Sequence, residues 1–556
     1  MIEIEKFYKQ YLNIDTPFEH QINLWERIHA IDFPLLLKAP TGSGKTEAVL
    51  APFLSQFIDN KFHIAPRMIY VLPMRVLVNS VAKRIRKYSQ NFFTNIIVEI
   101  QHGDIPNTPF FIADIVVTTL DQFLYGFARS SGQIGRHLDI PAGSIASSIV
   151  VFDEAHMYRD GFTFSIMRAL MEILQKSYIP FVVMTATMPE TLEKSLFEDK
   201  RLFKDVKKII GNTLINSNLK ISIENNPLYS DVDVNISEKL LNKTKKHKTL
   251  IIVNQVKRAQ KIYEYVKAML ALTDDQIILL HSRFTKTDRK IHEEKAISLI
   301  PHREDGRVVI PEGVGVIVST QVLEAGIDFS AELLLTELAP ADSLIQRSGR
   351  CARYEGEKGE IIIFPVEGDK SYLPYEEEYL SKTLEWLQKN KNFNIKNFKE
   401  VCSFVDDTLD YQANDYEARD TLIDLYECVL YADSEPRNIQ LRDSKPVTLV
   451  VLDISRGGRG SAEARIEDIV SATDIREVSM NVDIGVAWAL FKKGHLRWEV
   501  AWNCKEKKYK AIDLLKRQRH HDDEKDIRIG PFRTYIIERN DYKEDKGIYP
   551  DVSAII

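Results

Sequence analysis

Between residues 33 and 364 the chain repeats one pattern. A short continuous run of β-branched and aliphatic residues is followed by a stretch in which apolar positions recur at helical spacing. The apolar runs fall at residues 33–37, 68–72, 96–100, 115–118, 148–152 and 181–185, and a second series falls at 249–253, 276–280, 315–319, 333–337 and 359–364. A strand wetted on one face would alternate apolar with polar residues. These runs do not alternate, so they predict strands buried on both faces, as in parallel sheets covered by helices. The polar stretch 211–226 separates the two series and reads as a linker. The expected fold is α/β, with two parallel-sheet domains over residues 1–212 and 213–366.

Beyond Gly368 the pattern changes. Tyr379, Leu380, Thr383, Leu384 and Leu387 recur at the spacing of an amphipathic helix. Val447, Leu449 and Val451 alternate, as do Leu496, Trp498, Val500 and Trp502, which predicts half-buried antiparallel strands. Trp498 and Trp502 share one strand face and are expected in a core rather than as stacking platforms for bases. Residues 455–460, S-R-G-G-R-G, read as a loop. Residues 367–556 are expected to form a smaller α+β accessory domain.

Composition excludes several classes. The 556 residues are 44% hydrophobic and 28% charged, ordinary values for a globular chain. The net charge of -6 gives no global attraction for nucleic acid, so any such binding must use local basic grooves. The four cysteines, Cys351, Cys402, Cys428 and Cys504, form no C-x-x-C pair, which argues against a zinc site or a disulfide framework. No apolar run has the length of a membrane span, and the charged N-terminus lacks a signal-peptide core. A cytoplasmic location without membrane contact is expected.

The first apolar run leads into residues 37–47, L-K-A-P-T-G-S-G-K-T-E. A strand, a glycine-bearing loop, Lys-Thr and then a helix are the parts of a phosphate-binding loop. Gly42 and Gly44 let backbone N–H groups converge on one phosphate, with the helix N-terminus behind them. Ala39, Pro40, Thr41, Gly42, Ser43 and Gly44 would form the cradle for ATP. Lys45 would reach the outer phosphates, and Thr46 would hold Mg²⁺. The strand 148–152 ends in Asp153, Glu154, Ala155 and His156. Asp153 can hold the Mg²⁺ shell, and Glu154 can orient and deprotonate the attacking water. His156 is placed to couple this site to a neighbouring domain. Thr185 and Thr187 follow the next strand and can relay hydrogen bonds from the acids, although Thr187 can equally cap a helix. In the second series, residues 346–353 read Q-R-S-G-R-C-A-R. Guanidinium groups at Arg347, Arg350 and Arg353 suit a phosphate that gains charge in the transition state.

The ordered set resembles the motor core of superfamily 2 helicases of the DEAH lettering. Its members here are Gln21, the phosphate loop, P-M-R-V-L (73–77), T-T-L-D-Q (118–122), D-E-A-H, T-A-T, V-N-Q-V-K-R-A-Q (253–260), S-T-Q-V-L-E-A-G-I-D and Q-R-S-G-R-C-A-R. The resemblance implies two RecA-like domains with ATP and Mg²⁺ between them and single-stranded nucleic acid across their top. It implies that Gln21 reads the adenine edge and that Asp328 reaches the ribose. Gln346 would contact the γ-phosphate or the attacking water, and Arg350 and Arg353 would be arginine fingers. Arg347 matches a position that is structural in relatives. Arg75, Thr118, Thr119 and Gln122, with Asn254, Thr320 and Gln321, match positions that touch the sugar-phosphate track, contacts that fix register without reading sequence. His281, Arg283, Lys286 and Arg289 form either a basic lip over the strand or an ordinary helix start.

Finer details resemble the helicase of type I CRISPR interference: D-E-A-H-M-Y, L-H-S-R-F-T-K-T-D-R (280–289) and the size of the C-terminal appendage. That resemblance implies a single-stranded DNA translocase moving 3′ to 5′, recruited by a guide-RNA surveillance complex. Relatives that carry an HD nuclease in the same chain have it before the phosphate loop, and the residues before Ala39 are too few for it. A stand-alone helicase subunit is therefore expected, with a separate HD nuclease. The pair His520 and His521 beside Asp522 and Asp523 reads as a solvated loop rather than a metal site. A DNA-repair or RNA helicase of the same superfamily is the alternative, and a non-hydrolysing nucleic-acid scaffold ranks below it.

Overall fold

The computed structural model describes residues 3–103, 105–129, 137, 139–158, 161–211, 218–230, 233–304, 307–324, 328–368, 370–410, 446–454, 461–503, 506–516 and 529–548. The loop at 455–460 and the His520–Asp523 cluster lie outside these residues. The chain forms two compact units. The first comprises Met1–Ile215, Pro340–Gln346 and Ser381–Asp443, and the second comprises Asn216–Ala339, Arg347–Leu380 and Ser444–Ile556.

The first unit is built on strands β1 (Leu35–Lys38), β2 (Arg67–Leu72), β3 (Val98–His102), β4 (Ile105–Pro106), β5 (Ile115–Thr119), β6 (Ser148–Phe152), β7 (Phe181–Thr185) and β8 (Lys207–Ile210). Their order is β4-β3-β5-β2-β6-β7-β1-β8. Every pairing is parallel except β3 with β4. Successive residues of a strand point to opposite faces. Leu35, Leu37, Met68, Tyr70, Ile115, Val117, Ile149 and Val151 accordingly enter one buried cluster, while Leu36, Ile69, Val71, Val116, Val150 and Phe152 enter the other. Each face buries aliphatic side chains worth about 1.5–3 kcal/mol apiece, which is why the strands read as unbroken apolar runs. The sheet sets the C-terminal ends of β1, β2, β6 and β7 side by side.

The helix Phe398–Thr408 belongs to this unit too. Its Asp406 Oδ1 accepts the Glu190 N–H at 2.7 Å, capping the helix Glu190–Leu196 that follows β7. The amphipathic pattern at 379–387 is the helix Glu377–Lys389, with Leu380, Thr383 and Leu387 buried.

The second unit holds β9 (Asn218–Ile223), β10 (Thr249–Ile252), β11 (Ile277–Leu280), the hairpin β12 (His302–Glu304) and β13 (Arg307–Val309), β14 (Val316–Ser319), β15 (Leu333–Glu337) and β16 (Lys358–Phe364). Six of them form a parallel sheet ordered β11-β14-β10-β15-β16-β9. Strand β9 corrects the linker expected at 211–226. As an edge strand it is only partly covered and carries Asn218, Lys220 and Ser222 between apolar residues, so it lacks the continuous apolar signature.

Strands β17 (Pro446–Leu452), β18 (Ser479–Asp483), β19 (Leu496–Asn503), β20 (Lys508–Asp513) and β21 (Thr534–Glu538) make a further sheet, ordered β18-β17-β21-β19-β20. It is mixed rather than antiparallel throughout, because β17 runs parallel to β21. Trp498 is buried, but Trp502 is 52% exposed and meets the Tyr509 ring edge-on, so the expected core position fails for Trp502. Val447, Leu449, Val451, Tyr535 and Ile537 of this sheet join Ile251, Leu279, Val318 and Leu335 in one hydrophobic cluster. The C-terminal sheet and the six-stranded sheet share a core. A final hairpin, β22 (Tyr542–Lys543) with β23 (Gly547–Ile548), packs on the same unit.

Candidate active site

Strand β1 ends at Lys38, and the phosphate loop turns through Gly42 (φ +82°) and Gly44 (φ +74°) into the helix Lys45–Asp59. The left-handed backbone angle favours glycine at position 44, where a Cβ would also lie 2.5 Å from Gln21 Nε2 and displace that side chain. Gln21 holds the loop: its Oε1 accepts the Phe18 N–H at 2.8 Å, and its Nε2 donates to Gly44 O at 3.0 Å. His20 lies beside it with Nε2 3.0 Å from Ser43 O, and burial pulls its pKa below the usual imidazole value. Lys45 Nζ folds back onto the loop, donating to Ala39 O at 3.1 Å and Pro40 O at 3.2 Å. The buried Ser43 Oγ has no hydrogen-bond partner.

Strand β6 delivers Asp153 to the same sheet end. Its Oδ1 accepts the Glu154 N–H at 2.8 Å, and its Oδ2 accepts the Tyr70 hydroxyl at 2.6 Å. Tyr70 Oη is also 3.4 Å from Thr46 Oγ1. Burial, reinforced by the Glu154 charge and opposed by Lys45, pushes the Asp153 pKa up to about 6. Glu154 has φ 52°, a left-handed backbone that a non-glycine residue adopts at a cost and that places its carboxylate beside His156. His156 Nδ1 is 3.1 Å from Thr185 Oγ1 and 3.5 Å from Glu154 Oε2. The Gln346 side-chain amide donates to His156 Nε2 at 2.7 Å, which leaves the ring proton on Nδ1. Gln346 Oε1 and Thr187 Oγ1 are buried without partners. The expected two-hydroxyl relay therefore runs through Thr185 alone.

A magnesium ion suits this corner. Thr46 and Asp153 hang on one phenol, their ligating groups are all oxygen, and a hard cation prefers such donors.

Arg347 behaves as a brace in the second unit. It is fully buried, with Nε 2.9 Å from Glu324 Oε1 and the other nitrogens donating to Thr336 Oγ1, Glu337 O, Asn254 Oδ1 and Tyr375 Oη. Glu337 completes the cluster by accepting from Arg258 at 2.9 Å and from the Asn254 N–H at 2.7 Å. Arg350, expected as a finger, is buried and donates to Leu323 O and Glu324 O of its own unit. Arg353 pairs with Asp328 at 2.8 Å, so two residues with separate expected tasks hold each other.

The nucleic-acid set divides. Arg75 is exposed at the start of the helix Arg75–Ser89, and Gln122 and Gln321 are half-buried. Three of the set are bonded within their own units: Thr118 Oγ1 donates to Gln101 O at 2.7 Å, Gln122 Oε1 accepts from Gln101 Nε2 at 3.1 Å, and the Asn254 carboxamide bonds Leu338 O and Arg347. Thr119 and Thr320 are also buried. The basic lip fails. His281 is buried, its Nε2 is 3.0 Å from Lys546 O, and burial drops its pKa to about 3. Lys286 and Arg289 pair with Glu477 and Glu293. The alternative stands, a helix start (Lys286–Leu299) capped by Thr285.

Sequence reasoning missed Tyr70 and the buried Glu47, whose carboxylate accepts from Tyr88 at 2.9 Å and Arg84 at 3.4 Å. A signal existed for Tyr70. A phenol inside the aliphatic strand R-M-I-Y-V-L must find a partner for its hydroxyl when buried.

Comparison with known proteins agrees with this geometry. Residues 18–195 match the DEAD/DEAH box helicase family, and residues 245–356 match the C-terminal family of CRISPR-associated nuclease/helicase Cas3. The CRISPR-associated helicase Cas3 of Thermoproteus tenax is 30% identical over 460 residues, covering 78% of this chain and 75% of that protein. A putative CRISPR-associated nuclease/helicase Cas3 of Methanocaldococcus jannaschii is 27% identical, with 81% of this chain and 65% of that protein covered. The T. fusca Cas3-ADP crystal structure shares the fold with a TM-score of 0.66 at 20% identity, over 88% of this chain and 66% of that one.

Fold and site together define a nucleotide-binding, ATP-hydrolysing helicase of two RecA-like domains. Within that class, the chain belongs to the family of CRISPR-associated Cas3 helicases. Among the described residues no helix is long and apolar enough to cross a membrane, and no group of three or more His, Cys, Asp or Glu side chains could hold a metal.

Proposed function

We propose that this helicase draws in single-stranded DNA, 3′ to 5′, from target opened by a guide-RNA surveillance complex, for an HD nuclease on another chain. The observation that carries the motor chemistry is one continuous line of contacts, from Thr46 through Tyr70, Asp153, Glu154 and His156 to Gln346. In this reading the loop 39–44 and Lys45 hold the phosphates, and Thr46 and Asp153 hold Mg²⁺. The ion would neutralise phosphate charge as the terminal phosphoryl group leaves. Glu154 takes a proton from the attacking water, Thr185 steadies His156, and Gln346 reports the γ-phosphate. Gln21 serves adenine and Asp328 serves ribose once Arg353 releases it. Arg350 and Arg353 act as fingers after leaving their present partners. Arg75, Thr118, Thr119, Gln122, Asn254, Thr320 and Gln321 are the residues this reading assigns to the sugar-phosphate track.

Support for the CRISPR setting comes from the relatives, one named a CRISPR-associated helicase and the other a CRISPR-associated nuclease/helicase. The test is ATPase stimulation by single-stranded DNA against RNA, together with unwinding of R-loop DNA carrying either overhang. A clear preference for RNA, or 5′ to 3′ movement, sinks the proposal. DNA cutting by the purified chain alone in Mn²⁺, Ni²⁺ or Co²⁺, lost on Asp522→Ala, removes its nuclease clause.

A further inference from the structure

We infer that Tyr70 is a positioning residue for the metal corner of the ATP site. This rests on the reading that Thr46 and Asp153 hold Mg²⁺. The phenol has one proton. With Asp153 Oδ2 at 2.6 Å as its acceptor, the 3.4 Å contact to Thr46 Oγ1 requires Thr46 to donate. The order is thus Thr46 O–H to Tyr70 O–H to Asp153. That order fixes two things at once. The Thr46 hydroxyl turns its proton toward Tyr70 and keeps its lone pairs free for a cation. The Asp153 carboxylate is held between the Tyr70 hydroxyl and the Glu154 N–H, so its rotation about the side chain is locked. Tyr70 itself is fully buried on β2, beside β6, with its ring in the apolar cluster under the sheet, so it cannot swing away. It sits three residues before the P-M-R-V-L stretch and in none of the quoted helicase motifs, and its hydroxyl meets Thr46 and Asp153. Partners of metal ligands that lie one bond further out orient those ligands, and their loss typically costs about 10- to 100-fold in metal affinity or activity.

The experiment is Mg²⁺ titration of fluorescent-ATP binding and of ATP turnover by the full chain, for the parent, Tyr70→Phe, Asp153→Ala and the double variant. Phe keeps the ring and removes only the hydroxyl; thermal melting in EDTA checks that the fold survives. Tyr70→Phe is expected to raise the Mg²⁺ needed for half-maximal binding roughly 10-fold. Nucleotide binding in EDTA should stay unchanged, and turnover should largely recover at saturating Mg²⁺. Because Tyr70 acts through Asp153 as well as Thr46, the two substitutions should not add, and the double variant should lose less than the sum of the two single losses. An unchanged Mg²⁺ requirement in Tyr70→Phe, with a raised one in Asp153→Ala, overturns the role of Tyr70 and leaves the metal reading standing. An unchanged requirement in Asp153→Ala overturns the metal reading and the inference with it. If Tyr70→Phe melts early, Tyr70→Leu, assayed below its melting temperature, replaces it. Full parental Mg²⁺ affinity in a folded Tyr70→Leu chain also overturns the inference.

Discussion

At the ends of β1, β2 and β6 the first unit collects Lys45, Thr46, Tyr70 and Asp153, whereas at the ends of β10 and β15 the second unit collects Asn254, Glu337 and Arg347. Both sets are buried and polar, and both sit on parallel sheets of the same kind. They differ in how their hydrogen bonds are spent. Arg347 has every nitrogen engaged with its own unit, and Glu337 accepts from two directions. In the first unit Ser43 Oγ, Thr187 Oγ1 and Gln346 Oε1 are buried with no partner, and Lys45 has only backbone carbonyls to hold. Buried groups without partners are costly, so they persist where a ligand will satisfy them. In the second unit Gln321 Oε1 and Thr244 Oγ1 are also buried without partners, and neither enters the hydrogen bonds of Arg347 and Glu337. One sheet end is a brace and the other is a socket.

The largest expected effect separates the two directly. Glu154→Gln should bind ATP and melt as the parent does, yet turn over roughly 10²- to 10⁴-fold more slowly, as loss of a general base implies. Steady-state ATPase assays decide it, and unchanged turnover would take Glu154 out of its role. Arg347→Met should do the reverse. It strands Glu324 and Asn254 in the core, so denaturant unfolding should show a loss of about 3–5 kcal/mol. A loss under 1 kcal/mol in that experiment would mean the second network is not a brace.

The contrast extends to pH. His281 is neutral in the fold, with Nε2–H toward Lys546 O and Nδ1 accepting the Arg283 N–H. Its folded pKa near 3 lies below the ordinary value of 6.5, so the unfolded chain takes the proton first. Stability of the second unit is therefore fully present above pH 6.5 and falls between there and pH 3, by about 1.4 kcal/mol per unit at most. His281→Gln should flatten that slope in denaturant titrations at several pH values; an identical slope would assign it to other groups. The smallest effect is expected at Asp406. Asp406→Ala removes a cap from the helix after β7 and should cost about 1 kcal/mol, while Asp406→Asn keeps the acceptor and should restore most of it.

Much of the fold could be read from the chain because strands buried on both faces leave continuous apolar runs. Residues 68–72, 148–152 and 181–185 become β2, β6 and β7 almost residue for residue. Strand β9 escaped because an edge strand alternates, and polar alternation reads as linker. The site was legible as positions but not as orientations. A motif says that a Thr or Asn stands at 118 or 254. Only the packing around it says that Thr118 faces Gln101 and Asn254 faces Arg347. Asp406 shows a further limit. It caps a helix starting at Glu190, more than two hundred residues away in sequence, and no local pattern encodes such a pairing.

The apolar cluster joining the C-terminal sheet to the six-stranded sheet sets a rule for anyone trimming this protein. Ending the chain after residue 366, where the recognisable helicase motifs stop, would lay bare the layer that Val447, Leu449, Tyr535 and Ile537 now cover. The product would be a sticky, half-finished body rather than a minimal motor. What looks like an optional extension in the sequence is the other half of a domain's interior.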